Sequence, residues 1–127
     1  MLKKDGLYTL INKILIIDDE IIFCNALRYH LIQKGYAVNV CNSYLEFQEG
    51  INLGQFDLIL LDLNLGDING LDLFKIAKEI NPTIKVIIIS AYLDHSSISK
   101  AKELGAYDYI CKNTKLFQVL DQLFEGI

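Results

Sequence analysis

Five short apolar runs, at residues 13–17, 36–41, 56–61, 84–89 and 107–111, alternate with stretches whose apolar residues recur at helical spacing. That alternation leaves little freedom, because strand–helix repeats of this length bury themselves as a parallel α/β sheet with helices on both faces. The runs starting at 13, 56 and 84 are apolar at nearly every position, as strands covered on both sides must be; the second and fifth look more peripheral. Five such units in 127 residues point to a doubly wound five-stranded sheet of order 2-1-3-4-5 with right-handed crossovers and five helices.

The helical stretches carry their own punctuation. The first is expected from about Glu20 to Lys34, with Phe23, Leu27 and Leu31 inward and Gly35 as its stop. Ser43 followed by Glu46 has the spacing of a capping box for the second. Leu73, Ile76, Ala77 and Ile80 form the stripe of the third, which Pro82 keeps from continuing. The fourth begins near Asp94 to Ser97, turns Ile98, Ala101 and Leu104 inward and ends at Gly105. The fifth, capped by Asn113 or Thr114, presents Leu116, Val119, Leu120 and Leu123. Residues 1–12 precede the first strand and read as an N-terminal extension, a flexible or partly ordered arm, to a domain spanning 13–127.

With 52% apolar residues the chain can bury roughly two thirds of its unfolded surface without a staple or a metal. A formal charge of -4, with Lys, Asp and Glu intermixed, provides no basic stripe for nucleic acid or an anionic membrane. No apolar run approaches the roughly 18 residues of a membrane span, and the N-terminus lacks a signal-peptide pattern. Cys24, Cys41 and Cys111 are odd in number, lack CxxC spacing and lie in apolar segments, so they are expected to be reduced core thiols of a cytoplasmic protein.

Chemistry concentrates where the strands end. The first run leads into Asp18, Asp19 and Glu20, and the third into Asp62. In the order 2-1-3-4-5 these ends are neighbours at the topological switch point, where such sheets bind ligands. Two carboxylates about 4 Å apart repel by about 4 kcal/mol at an effective dielectric near 20, so the cluster calls for a cation. Mg²⁺, or Mn²⁺, fits an all-oxygen set that leaves room for a phosphoryl oxygen. The fourth strand delivers Ser90 and Ala91 to the same edge, and the fifth delivers Lys112. Singly, Ser90 reads as a turn cap, Lys112 as a surface cation and Asp62 as a loop carboxylate. A hydroxyl, an ammonium, a metal site and a carboxylate nucleophile arriving together describe phosphoryl transfer.

At these residues the chain resembles the receiver domain of bacterial two-component response regulators, from about Lys13 to Phe124. The resemblance rests on Asp18-Asp19, on Leu60-Leu61-Asp62-Leu63-Asn64-Leu65 with Gly70 beyond, and on the run from Gly105 to Lys112. It implies that Asp62 accepts a phosphoryl group from a phosphohistidine on a sensor histidine kinase or phosphotransfer protein. Asp19 and Asp62 would bind Mg²⁺ directly, Asp18 through water, and the backbone carbonyl of Asn64 would complete the protein ligands. Lys112 would pair with the phosphoryl group, Ser90 would hydrogen-bond it and Ala91 would leave access. Tyr109 matches the switch aromatic whose ring follows Ser90, biasing the surface of the fourth helix, fifth strand and fifth helix toward a downstream output protein or domain. That face is also where a weak homodimer would form. Self-catalysed phosphorylation and dephosphorylation are implied, without turnover of a free substrate.

Two positions depart from the family pattern. Asn113 stands where a proline after a cis bond is usual, so a trans Lys112–Asn113 bond and a slightly displaced Lys112 are expected. Gly66 replaces the usual proline four residues after Asp62, giving a more permissive loop. Asn113 keeps open a receiver-like adaptor that works without phosphorylation. A flavodoxin-like nucleotide carrier would need amides rather than Asp18, Asp19 and Glu20 after the first strand. A Mg²⁺-dependent phosphatase would want another acid two residues beyond Asp62, where Asn64 stands. His30 and His95 lack a second ligand at helical spacing.

Overall fold

The computed structural model describes residues 11–92 and 94–127. The chain forms β1 (Lys13–Ile17), α1 (Ile21–Gln33), β2 (Ala37–Cys41), α2 (Tyr44–Gly50), β3 (Leu58–Leu61), α3 (Gly70–Ile80), β4 (Lys85–Ser90), α4 (His95–Glu103), β5 (Asp108–Cys111) and α5 (Leu116–Glu125). All strand pairs are parallel and the sheet order is β2-β1-β3-β4-β5, as the apolar runs imply.

Several strands start later than their apolar runs. Tyr36, Phe56 and Ile84 are buried, but their amides bond to Leu31, Leu53 and Asn81 in the preceding turns rather than to a neighbouring strand. Their apolar character therefore reflects burial beneath the sheet's entry side, not membership of a ladder.

Alternation along the strands sorts the core into two layers. Ile14, Ile16, Leu58 and Leu60 pack with Leu27 and Leu31 of α1 and Leu120 of α5. Leu15, Ile17, Ile59 and Leu61 pack with Leu73 and Phe74 of α3 and Ala101 of α4 on the other side. Each such side chain contributes about 1.5–3 kcal/mol when fully buried, and most of these are 0–1% exposed.

Helix details depart from the expected stripes where tertiary packing decides. Cys24 joins Leu27 and Leu31 inside α1, while Phe23 is half-buried. Ile80 is 59% exposed and Val119 40% exposed; α3 uses Phe74, and α5 uses Phe124 in the row Leu116, Leu120, Phe124. Ile98 and Leu104 of the fourth stripe are only half-buried around Ala101. The capping box of α2 is present in altered form: Ser43 Oγ accepts from Glu46 N, but Glu46 reaches back to the amide of Asn42. Asn69 and Asp94 cap α3 and α4. For α5 neither expected cap holds, because Lys115 occupies the N-cap and Asn113 Oδ1 instead closes a turn on the Lys115 amide. Gly35 and Gly105, just beyond α1 and α4, adopt φ of 98° and 86° and stop both helices.

Of the N-terminal extension expected over residues 1–12, residues 1–10 lie outside the described residues. Ile11 and Asn12 belong to the fold: Ile11 is 2% exposed within the α1–α5 layer, and Asn12 O accepts from Ala37 N. Cys24 and Cys41 are core thiols as expected, but Cys111 is exposed, since it lies on the edge strand with its side chain turned outward. Among the described residues no helix is long and apolar enough to cross a membrane.

Candidate functional site

Ile17 of β1 and Leu61 of β3 are paired in register, so Asp18 and Asp62 leave the sheet side by side. Both stay buried, at 2% and 4% exposure. Backbone amides fix them: Asp18 Oδ1 accepts from Glu20 N at 2.9 Å, and Asp62 Oδ1 accepts from Asn64 N at 3.1 Å. On the other side of β4, the Lys112 amide donates to Ser90 O at 2.8 Å and continues the β5 pairing by one residue.

From there the Lys112 side chain spans β4 to reach the carboxylates. Its Nζ lies 2.7 Å from Asp18 Oδ2, 2.6 Å from Glu20 Oε1 and 3.1 Å from Asp62 Oδ2. The ammonium donates to Glu20 and Asp62 and forms an ion pair with Asp18. The Phe23 ring, 4.5 Å from Nζ, covers the charge. Burial opposes a charged Lys112, yet the bonds to Asp18, Glu20 and Asp62 outweigh it and hold the ammonium above the ordinary lysine range. Burial raises the Asp18 carboxyl above its ordinary value, against the pull of Lys112 and the Glu20 amide and with an added push from Asp62.

The carboxylate set differs from the expected one. Oxygens of Asp18, Glu20 and Asp62 lie within 4.8 Å of one another and could hold a metal ion. Asp19 is outside that set, exposed and beside Gly66, where a Cβ would stand 3.7 Å from Asp19 Oδ2. The chain bends at Asp19, where the Glu20 amide turns back onto Asp18 Oδ1. The acidic run itself was the available signal for Glu20. The donor set is all oxygen, and three carboxylates with one ammonium leave a formal charge matched by a hard divalent cation.

The loop after Asp62 doubles back on itself through a bridge between Asn64 and Asn69. Gly66 adopts φ 81° there, a conformation closed to the usual proline. At the loop's end Gly70 N donates to Leu63 O, and a Cβ on Gly70 would meet Leu63 Cα at 2.5 Å and Asp62 O at 2.7 Å.

The remaining residues sit around this core. Ser90 is fully buried, and its hydroxyl donates to Tyr92 O at 3.1 Å and receives the Tyr92 amide at 3.4 Å, the turn-cap reading of its sequence. Tyr109 is half-buried against the α3–α4 layer, with Lys102 Nζ 5.6 Å from its ring centroid. Exposed Ala91 joins Glu20, Phe23, Lys112, Asn113 and Leu116 around an open cleft of about 330 Å³. All described peptide bonds are trans, Lys112–Asn113 included, and the expected displacement does not keep the ammonium from Asp62. His30 lies away from the site, stacked on Phe117 with Nε2 2.8 Å from Asp121 Oδ1.

A buried carboxylate after β3, an acidic partner after β1 and a lysine after β5, on a 2-1-3-4-5 sheet, define a receiver-type α/β module. The family described as response regulator receiver domain matches residues 14–124, and the chain belongs to it. The transcriptional regulatory protein ZraR of Klebsiella oxytoca is 35% identical over 99 residues, 78% of this chain and 22% of that protein. The chain thus spans about a fifth of the length of such curated relatives. Among solved structures, the non-phosphorylated HemR receiver domain from Leptospira biflexa superposes with a TM-score of 0.82 at 28% identity, covering 88% of this chain and 90% of that one. The beryllofluoride-activated receiver domain of DrrB, a Thermotoga maritima protein, does so with a TM-score of 0.74 at 26% identity, covering 93% and 100%.

Proposed function

We propose that Asp62 is the phosphoacceptor of a two-component phosphorelay. The observation that carries this reading is a 4%-exposed carboxylate whose Oδ2 lies 3.1 Å from the Lys112 ammonium. A carboxylate oxygen of Asp62 attacks the phosphorus of a phosphohistidine on a sensor kinase or phosphotransfer protein. The new P–O bond forms as the P–N bond breaks, and its electron pair returns to the imidazole. The Asn64 amide orients Asp62, and Lys112 neutralises charge on the transferred group.

Asp18 and Asp62 are the residues to hold Mg²⁺ or Mn²⁺, with Asp19 and the Asn64 carbonyl joining them on the family pattern. The cation, when bound, supplies charge stabilisation to the phosphoryl oxygens. Ser90 exchanges its Tyr92 contacts for a phosphoryl oxygen, Tyr109 follows it, and the α4–β5–α5 surface is recognised by an output protein or domain. The module works in the cytoplasm on its own phosphorylation state, without a free substrate.

Intact mass after incubation with Mg²⁺ and a small phosphodonor tests this. Wild type gains one phosphoryl group, and Asp62→Asn gains none. No adduct on wild type, or equal adducts on both, would replace the phosphoacceptor with a phosphorylation-independent adaptor.

A further inference from the structure

Glu20 is the N-cap of α1, yet its side chain makes no capping bond. It turns instead to Lys112, at 2.6 Å. Of the three carboxylates on that ammonium, Asp18 and Asp62 are buried, whereas the Glu20 side chain is 59% exposed at the mouth of the cleft. With three carboxylates within 3.1 Å of Nζ, two of them hydrogen-bonded, Lys112 gives up one of these contacts to turn to a phosphoryl oxygen. The solvated one is the cheapest to release, because water replaces what it loses.

We propose that Glu20 is a positioning residue that holds Lys112 at the cleft mouth in the resting state and yields it to the phosphoryl group on Asp62. The inference rests on Asp62 being the phosphoacceptor. Glu20 then sets how readily the phosphorylated form is populated, by competing for the ammonium that stabilises it.

Beryllofluoride binding at saturating Mg²⁺, followed by fluorine NMR, tests the proposal in wild type, Glu20→Gln, Lys112→Met and the double variant. Glu20→Gln should bind about three- to fivefold tighter than wild type, the size of one exposed ion pair removed from competition. The gain should vanish when Lys112 is already Met. An unchanged or weaker affinity of Glu20→Gln overturns the proposal, and so does an equal gain in the Lys112→Met background, which would mark mere charge repulsion. Mn²⁺ binding by electron paramagnetic resonance should stay within about twofold for Glu20→Gln; a loss of about tenfold would make Glu20 a metal ligand instead. Should Lys112→Met fail to fold, the NMR coupling between the Lys112 ammonium and the Glu20 carboxylate decides: it should disappear on beryllofluoride binding, and its persistence overturns the proposal. Failure of wild type to bind beryllofluoride would remove the phosphoacceptor reading, and this inference with it.

Discussion

The backbone of Gly70 passes so close to that of Asp62 that a Cβ on residue 70 would stand 2.7 Å from the Asp62 carbonyl oxygen. The first residue of α3 is thereby wedged against the loop that begins at Asp62. Gly70→Ala should cost about 1–3 kcal/mol through overpacking, read as a lower urea midpoint with an unchanged slope. Because relief requires the 62–63 backbone to move, phosphodonor reactivity should fall as well.

Lys112 is the counter-charge of a buried carboxylate pair, with its side chain 9% exposed. Replacing it with Met should destabilise the fold by about 3–5 kcal/mol in the absence of divalent cation, the usual cost of stranding buried charges. Added Mg²⁺ should recover more thermal stability in Lys112→Met than in wild type, since the cation then supplies the only positive charge at the cluster. Equal Mg²⁺ effects on the two Tm values would contradict this arrangement.

The same lysine fixes a pH dependence. A base whose pKa is raised by folding stabilises fully below its unfolded value, here 10.5, and loses that contribution as pH rises through the higher folded value. Denaturant titrations should therefore find a falling limb of stability above pH 10.5 in wild type. Lys112→Met should lack that component of the limb.

Thiol chemistry should be selective. Burial pushes the Cys24 thiol up to about 12 and the Cys41 thiol up to about 11, while Cys111 is exposed. Alkylation of native protein at pH 8 should modify Cys111 first and leave the other two intact until unfolding. Rapid loss of all three thiols would contradict the two buried positions.

What could be read from the residues divides along a physical line. Strand order, the emergence of Asp18 and Asp62 at one edge and the arrival of Lys112 follow from period and from strand ends, which are local properties. The exposure of Ile80, Val119 and Cys111 is a matter of which helix or edge a neighbour covers, and no single segment records that. Asp19 and Glu20 show the limit at its finest: the acidic run is obvious, but which acid meets Lys112 depends on how the chain bends at Asp19 as it leaves β1. Ser90 is similar, because a buried hydroxyl can face a phosphoryl group or the Tyr92 backbone from one position.

The bonds from Lys112 join residues 50 positions apart at Asp62 and 92 apart at Glu20. Contacts of such sequence separation close long loops, whose entropic cost comes before the contact offsets it. A chain whose fifth strand has not docked has no ammonium beside Asp62, so the buried carboxylate pair gains its counter-charge only when the far edge of the sheet is in place.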